Sequence, residues 1–137
     1  LKKVSFLINL DIVGTGDEGI VIVNALEEKK AAKKIGKINT RLNYFKKIKI
    51  RGQSPNSDHY WFSHNKVPSI FIYTMGGIQA YHDPLDKSET LHLNKIEDLY
   101  HLIIHFVNEF FLTLSKDCKR ETHCSARLLS YVRLPVT

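Results

Sequence analysis

Three short polar segments, each next to an apolar run, carry the side chains of this chain that could do chemistry. Asp11 closes the run Leu7-Ile8-Asn9-Leu10, Ser57-Asp58-His59 opens a predicted helix, and Tyr81-His82-Asp83-Pro84-Leu85-Asp86 forms a loop after a later strand. Imidazole and carboxylate groups are ligands that zinc takes from proteins, and neighbouring carboxylates such as Asp83 and Asp86 can orient a ligating imidazole. Because open α/β sheets build their binding crevice at strand ends, these segments predict a metal-binding site.

Each of these residues also has a purely structural interpretation. Asp11 could begin a turn that leads into Gly14, since aspartate side chains often bond to the backbone that follows them. His82 could be a loop histidine hydrogen-bonded to Asp86. The metal interpretation is favoured by the set of residues, because Asp11 and His82 are both suitable ligand types and come from different elements.

The elements that must position these residues alternate between strands and helices. Apolar, β-branched runs predict strands at 3–13, 19–23, 48–50 and 67–73, with the first two paired as a hairpin. Helical periodicity predicts helices at 26–45, from Ser57 as N-cap to Asn65, and from Asn94 onward. Such alternation predicts an α/β domain with a mixed sheet. The pattern assigns no structure beyond Leu114.

Length and composition describe one domain that is part of a longer protein. The chain has 137 residues and no uninterrupted apolar run of 18 residues, so we expect one core and no membrane span. It begins with Leu and enters a core strand almost at once, which indicates further sequence upstream. Cys118 and Cys124 are too few for a disulfide framework, although they could form one bridge or bind metal with His123.

The net charge of +6 is concentrated away from the predicted site loops. The segment from Glu27 to Arg51 holds ten Lys or Arg against two Glu. We interpret these lysines as the solvent face of an amphipathic helix, and no nucleic-acid motif accompanies them. His101 and His105 have the spacing of a helical metal pair, but they lie opposite the apolar stripe and are expected to face solvent. The loops of the predicted site are comparatively acidic.

Four motifs in order resemble one enzyme family. They are Asn9-Leu10-Asp11-Ile12-Val13-Gly14, Ser57-Asp58-His59-x-x-Phe62, Val67-Pro68-x-x-Phe71-Ile72-Tyr73-Thr74 and Tyr81-His82-Asp83-Pro84-x-Asp86. Over residues 4–111 the chain resembles the C-terminal half of the co-catalytic zinc aminopeptidases. This is the family of secreted bacterial leucyl aminopeptidases, to which glutaminyl cyclases are related in fold.

The resemblance implies a role for each matched residue. Asp11 would bind one zinc ion and His82 the other, and Tyr81 would donate a hydrogen bond to the substrate carbonyl oxygen as it becomes an oxyanion. Asp58 would lie at the rim of the site, with His59 and Asp86 as structural partners of the site residues. The implied fold is a three-layer α/β structure with a mixed sheet. The implied reaction is hydrolysis of N-terminal peptide bonds, in a periplasmic or extracellular protein.

The chain also departs from the family pattern. The family's remaining metal ligands and its glutamate general base precede this segment, whereas the ten residues before Asp11 include no His, Asp or Glu. We therefore expect residues 1–114 to be the C-terminal part of a catalytic domain that is inactive without its N-terminal half. Residues 115–137 would be a tail of unknown structure.

Two other functions fit the same motifs. A glutaminyl cyclase-like zinc acyltransferase shares the fold, although that group carries Trp where this chain has Tyr81. A non-catalytic, peptidase-like binding domain is the second alternative, because the upstream half of the site is missing.

Overall fold

A computed structural model describes residues 3–77, 80, 82–118 and 128–132, which form one mixed sheet with helices. The strands are β1 (Phe6–Leu10), β2 (Gly19–Val23), β3 (Ile48–Ile50), β4 (Ser69–Met75) and β5 (Leu128–Val132). The α-helices are α1 (Lys29–Leu42), α2 (His59–His64) and α3 (Ile96–Cys118), and Ser88–Thr90 forms a short 3₁₀ turn. The predicted α/β class with a mixed sheet is confirmed, while the three-layer order stays a prediction.

The five strands lie in the order β3-β2-β4-β1-β5. Strand β1 is parallel to both β4 and β5, whereas β2 is antiparallel to β4 and parallel to β3. The predicted hairpin of β1 and β2 is therefore wrong, because β4 lies between them. Both strands are buried along their whole length. A continuous apolar run identifies such central strands, but it does not say which strand pairs with which.

Several boundaries differ from the prediction in ways that local chemistry explains. The helix predicted at 26–45 spans Lys29–Leu42. It ends at Asn43 in the left-handed conformation, where the Asn39 amide bonds to the backbone N–H and carbonyl of Phe45. The region beyond Leu114, which the sequence pattern left unassigned, continues α3 to Cys118 and contributes β5 beside β1.

The sheet has one large and one small apolar face. On the large face, α1 and α3 pack against alternate strand residues, and the buried cluster includes Ile8, Ile22, Ile35, Ile72 and Phe106. On the other face, the buried cluster holds Val21, Val23 and Phe71, and His59 of α2 stacks on Phe71. The period-2 alternation of strand side chains thus sends Ile8 into the main core and Asn9 to the opposite face.

An ion-pair cluster joins the two helices that cover the large face. Glu109 of α3 accepts a hydrogen bond from Arg41 of α1 and lies 3.1 Å from the Lys34 ammonium. The hydrogen bonds from Arg41 and Lys34 lower the pKa of the Glu109 carboxyl. Within the described residues, none of the helices has the combined length and apolar content that crossing a bilayer would need.

Candidate functional site

Asp11 lies just beyond the end of β1, and hydrogen bonds hold its carboxylate at both oxygens. The Ile12 backbone N–H donates to Oδ1 at 2.9 Å, and the Ser57 hydroxyl donates to Oδ2 at 2.8 Å. Ser57 in turn accepts a hydrogen bond of 2.7 Å from the Asn9 side-chain amide. Each carboxylate oxygen keeps a lone pair beyond these bonds, so the group is oriented but can still accept a further ligand.

The backbone directly after Asp11 is strained and held in place by β4. Ile12 has a φ of 53°, a conformation that a β-branched residue rarely adopts and that costs about 1–3 kcal/mol. The Thr74 backbone N–H donates to the Ile12 carbonyl oxygen at 3.2 Å. The Thr74 hydroxyl shares its single hydrogen between the nearer Thr15 carbonyl oxygen and the Ile12 carbonyl oxygen, which is 3.2 Å away. The turn after β1 is therefore fixed by its neighbouring parallel strand.

The segment that carries His82 leaves the sheet at the same edge as Asp11. Strand β4 runs parallel to β1, with Leu10 paired to Ile72. The segments that follow these two strands therefore leave the sheet in the same direction. A Cβ atom added to Gly16 would lie 2.2 Å from the Met75 carbonyl oxygen, and one added to Gly77 would lie 2.1 Å from the Thr15 hydroxyl oxygen. The loops after β1 and β4 can approach so closely only because both positions are glycine.

The far end of the same segment returns to the loop after β1. A Cβ atom on Gly14 would lie 3.2 Å from Cδ2 of Leu93. The chain between Gly77 and Leu93 thus begins and ends against the turn that follows Asp11. His82 belongs to a segment whose two ends contact the loop of residues 14–16, a few positions after Asp11.

His82 itself is exposed and occupies a tight turn. Its φ of 59° is in the left-handed region, where non-glycine residues are uncommon. The Asp83 N–H donates to the Ala80 carbonyl at 2.8 Å, and the Asp83 carboxylate accepts from the Leu85 N–H at 2.8 Å. The Asp86 N–H closes the turn onto the Asp83 carbonyl. That Asp83 and Asp86 also orient the imidazole stays a prediction, and the predicted catalytic Tyr81 lies outside the described residues.

Ser57 does not cap α2 as predicted. The residue before the helix is Asp58, whose side chain makes no capping hydrogen bond, and the Ser57 hydroxyl bonds to Asp11 instead. Sequence reasoning therefore missed Ser57 and Asn9 as positioning residues. The sequence did contain a signal at Asn9, because a polar amide within an apolar strand needs a polar partner when it is buried. In the structure Asn9 is 1% exposed.

His59 is fully buried on the small face of the sheet. Its ring stacks on Phe71 with centroids 5.3 Å apart, and neither ring nitrogen makes a hydrogen bond of normal geometry within the described residues. Burial lowers the pKa of His59, an effect that the nearby Ser54 backbone and the Asp58 carboxylate only partly oppose. Its predicted role as a structural partner, like that of the half-buried Asp58 at the rim, stays a prediction.

The described residues include individual side chains that could bind zinc, but they do not include a complete set of zinc ligands. Asp11 supplies an oriented carboxylate and His82 an exposed imidazole, both of which are zinc ligands. Among the residues that the structure describes, no three His, Cys, Asp or Glu side chains lie close enough together to hold a metal ion. Because zinc usually takes three or four protein ligands, a complete site would need groups beyond these residues.

Comparison with known proteins identifies the class of enzyme. A family model for metal-dependent peptidases, which are generally zinc-dependent, matches residues 1–107. The chain belongs to peptidase family M28. No curated protein and no solved structure shows a significant match to the chain. The predicted metallopeptidase class is confirmed, whereas the leucyl aminopeptidase subfamily and the individual site residues stay predictions.

Proposed function

We propose that this chain supplies part of the active site of a zinc aminopeptidase, an enzyme that hydrolyses N-terminal peptide bonds at two zinc ions. Asp11 would bind one ion and His82 the other. The observation that supports this most directly is the parallel pairing of β1 and β4, which sends Asp11 and the His82 segment out of the sheet at one edge. The glycine contacts between the two loops support the same convergence.

The metal would supply the central chemistry, and the residues of this chain would position the groups around it. Paired zinc ions activate a water molecule and polarise the scissile carbonyl. Ser57 and Asn9 fix the rotamer of the Asp11 carboxylate, which reduces the reorganisation needed when it acts as a ligand. Tyr81 would donate a hydrogen bond from its phenolic hydroxyl to the developing oxyanion. Asp58 would attract the free α-ammonium group of the peptide.

The proposed site is incomplete within the part of the chain that the structure describes. Two ligands do not make a zinc shell, and no general base has been assigned among the residues described. We propose that the missing groups precede Leu1 in a longer protein, so that the 137-residue chain alone does not hydrolyse peptides. In that case the longer protein would bind about two zinc ions, and the chain alone would bind zinc weakly and below stoichiometry.

The test is an aminopeptidase assay on the protein expressed from its complete coding sequence. Release of p-nitroaniline from leucine p-nitroanilide should be lost on chelation and restored by zinc. Asp11→Ala and His82→Ala should each lower kcat/KM by at least about 100-fold, because each removes a metal ligand. His64→Ala is the matched control, since this histidine is exposed on α2 and should leave kcat/KM unchanged.

Three results would contradict the proposal. Full activity in either ligand variant would show that these residues do not bind the catalytic metal. Cyclisation of an N-terminal glutamine peptide, without release of N-terminal residues, would assign the protein to the glutaminyl cyclase-like alternative. A folded protein with neither zinc nor turnover would be a peptidase-like binding domain.

A further inference from the structure

A groove lies along the flank of α1, where the helix borders the edge of the sheet. It has a volume of about 780 Å³ and runs between the helix, the turn at Ala25 and Leu26, and the end of the edge strand β3 at Ile50. Leu26 and Ile50 are 55% and 53% exposed, although both are large and apolar. The groove therefore presents apolar side chains to solvent where the sheet ends.

A glycine in the middle of α1 keeps the groove open. Gly36 lines it, and a Cβ atom at this position would meet no atom within 4 Å. Glycine destabilises a helix interior relative to alanine. Internal packing does not explain this glycine, because a side chain would have room. The open space at Gly36 would allow the backbone of another element to approach α1 closely.

Four basic residues follow the groove at intervals of one helical turn. They are Lys29, Lys33, Lys37 and Arg41, and the groove has no acidic lining residue. At 1.5 Å per residue they extend over about 18 Å. Arg41 is paired with Glu109, whereas in the described part of the chain Lys29, Lys33 and Lys37 form no ion pair. The stripe thus offers three unneutralised ammonium groups beside an apolar floor.

We propose that this groove binds an acidic amphipathic helix of a partner protein. Apolar side chains of that helix would pack on Leu26 and Ile50, and its backbone would approach α1 most closely at Gly36. Carboxylates spaced one turn apart would face Lys29, Lys33 and Lys37, since residues at this spacing share one side of a helix. The groove is formed by α1 and an edge strand, whereas the Asn9–Ser57–Asp11 hydrogen bonds lie on the other face of the sheet, so the inference does not depend on the peptidase site.

The first test measures, by fluorescence anisotropy, the binding of synthetic helical peptides to the protein expressed from its complete coding sequence. The probe peptide carries glutamates one turn apart and leucines on the adjoining face. One control replaces the glutamates with lysine, and a second replaces the leucines with serine. We expect the probe to bind with a dissociation constant of about 100 μM or tighter, more weakly as salt increases. Equal binding of either control peptide would overturn the proposal.

The second test changes the groove. Lys33→Glu with Lys37→Glu should weaken probe binding at least about tenfold, because like charges then face each other. Lys3→Glu with Lys66→Glu makes the same change in net charge at exposed positions that do not line the groove, and should weaken it less than about threefold. Gly36→Leu should place a side chain in the groove and weaken probe binding about tenfold, while the charges of the groove stay the same.

Circular dichroism of each variant checks that the helix content is retained. If both charge-reversed variants lose binding equally, the interaction is a general charge effect and the groove is not the site. If the chain binds vesicles containing 30% phosphatidylserine but not the probe peptide, the basic surface contacts anionic lipid and the helix-docking proposal is wrong. A Gly36→Leu variant with unchanged affinity would also contradict it.

Discussion

The two faces of the sheet differ in what covers them and in what they contain. The large face is covered by α1 and α3 and buries a continuous apolar cluster that draws on β1, β2 and β4. Among the described residues, the buried apolar cluster on the small face holds Val21, Val23 and Phe71, with the short α2 beside it. Its buried polar groups include Asn9, His59 and Ser69. These polar groups, which need hydrogen-bond partners in fixed orientations, thus lie outside the main apolar core.

This division shows how one strand can serve stability and function together. In β1, Phe6, Ile8 and Leu10 enter the large cluster, while Asn9 turns to the small face and bonds to Ser57. The packing of the large face fixes where β1 ends, and the position of Asp11 follows from it. A site on the small face can therefore carry polar and strained groups, because its support comes from the opposite side.

The comparison can be tested first with the same substitution on each face. Phe106 and Phe71 are both buried phenylalanines, at 0% and 1% exposure. Phe106→Ala should lower the free energy of unfolding by about 3–5 kcal/mol, because it removes the ring that contacts Phe6 and Phe110 in the large cluster. Phe71→Ala should cost less, because the smaller cluster can relax around the cavity. Urea unfolding of both variants measures the difference.

A control on α3 separates core packing from helix effects. Ile104→Ala lies on the exposed side of the same helix, where Ile104 is 41% exposed, and should change the free energy of unfolding by less than about 1 kcal/mol. If Phe71→Ala proves more costly than Phe106→Ala, the small face is the main source of stability and the division drawn here is wrong.

Ser57→Ala tests whether the small face holds Asp11 through hydrogen bonds. The variant leaves the buried Asn9 amide without its acceptor and Oδ2 of Asp11 without its donor, so it should lower the free energy of unfolding by about 1–3 kcal/mol. If Asp11 binds zinc as proposed, the variant should also weaken zinc binding about 10- to 100-fold. Urea unfolding and competition with a zinc chelator measure the two effects.

Ser63→Ala is the matched serine control. Its hydroxyl is half-buried and donates to the Tyr60 carbonyl within α2, so no distant group depends on it. We expect a loss below about 1 kcal/mol and unchanged zinc affinity. Equal effects of the two serine variants would show that Ser57 is an ordinary surface hydroxyl.

Local patterns predicted the elements well and their pairing poorly. Strand β3 lies at 48–50 as predicted, and the apolar stripe from Ile96 to Phe110 lies on a helix. Both follow from periodicity within one segment. The prediction that β1 and β2 form a hairpin was wrong because strand pairing depends on distant segments. Strand β4 pairs with both β1 and β2 and lies between them. The residues of the turn between β1 and β2 do not indicate that β4 lies between these strands.

The same limit applies to the candidate site. Asp11 could be singled out because a carboxylate ends an apolar strand, which is a local signal. The serine before Asp58 gave the signal of a helix cap, but its hydroxyl bonds 46 positions away to Asp11. A hydroxyl can satisfy either partner, and only the folded arrangement decides which one is within reach. Sequence reasoning therefore predicted a metal site at Asp11, which stays a prediction, and it missed the side chains of Ser57 and Asn9 that hold the Asp11 carboxylate.

The buried His59 makes the small face sensitive to acid. Burial lowers its pKa below the ordinary value of 6.5, while the Asp58 carboxylate beside it acts in the opposite direction. Between 6.5 and that lowered value the unfolded chain binds a proton that the folded chain does not, so stability should fall as the pH decreases through this window. His59→Phe should remove this pH dependence, as measured by urea unfolding at pH 7 and pH 5. A parallel decline in the variant would contradict this origin.

His64→Gln provides the control on the same helix. His64 is exposed, so the variant should keep the acid sensitivity of the original chain. If His64→Gln removes the pH dependence and His59→Phe does not, the buried His59 is not the origin of the acid sensitivity.

The smallest expected effect comes from Gly36, and replacing a glycine of the other region should change stability in the opposite direction. Gly36→Ala in α1 should raise the free energy of unfolding by about 0.5–1 kcal/mol, because alanine favours the helix and its methyl group meets no atom. Gly16→Ala should instead lower it, since Gly16 has a φ of 81° and the new Cβ would lie 2.2 Å from the Met75 carbonyl oxygen. Thermal unfolding of both variants measures the signs. A stabilising Gly16→Ala would mean that the loops after β1 and β4 do not pack against each other, and the support that this contact gives to the convergence of Asp11 and His82 would be lost.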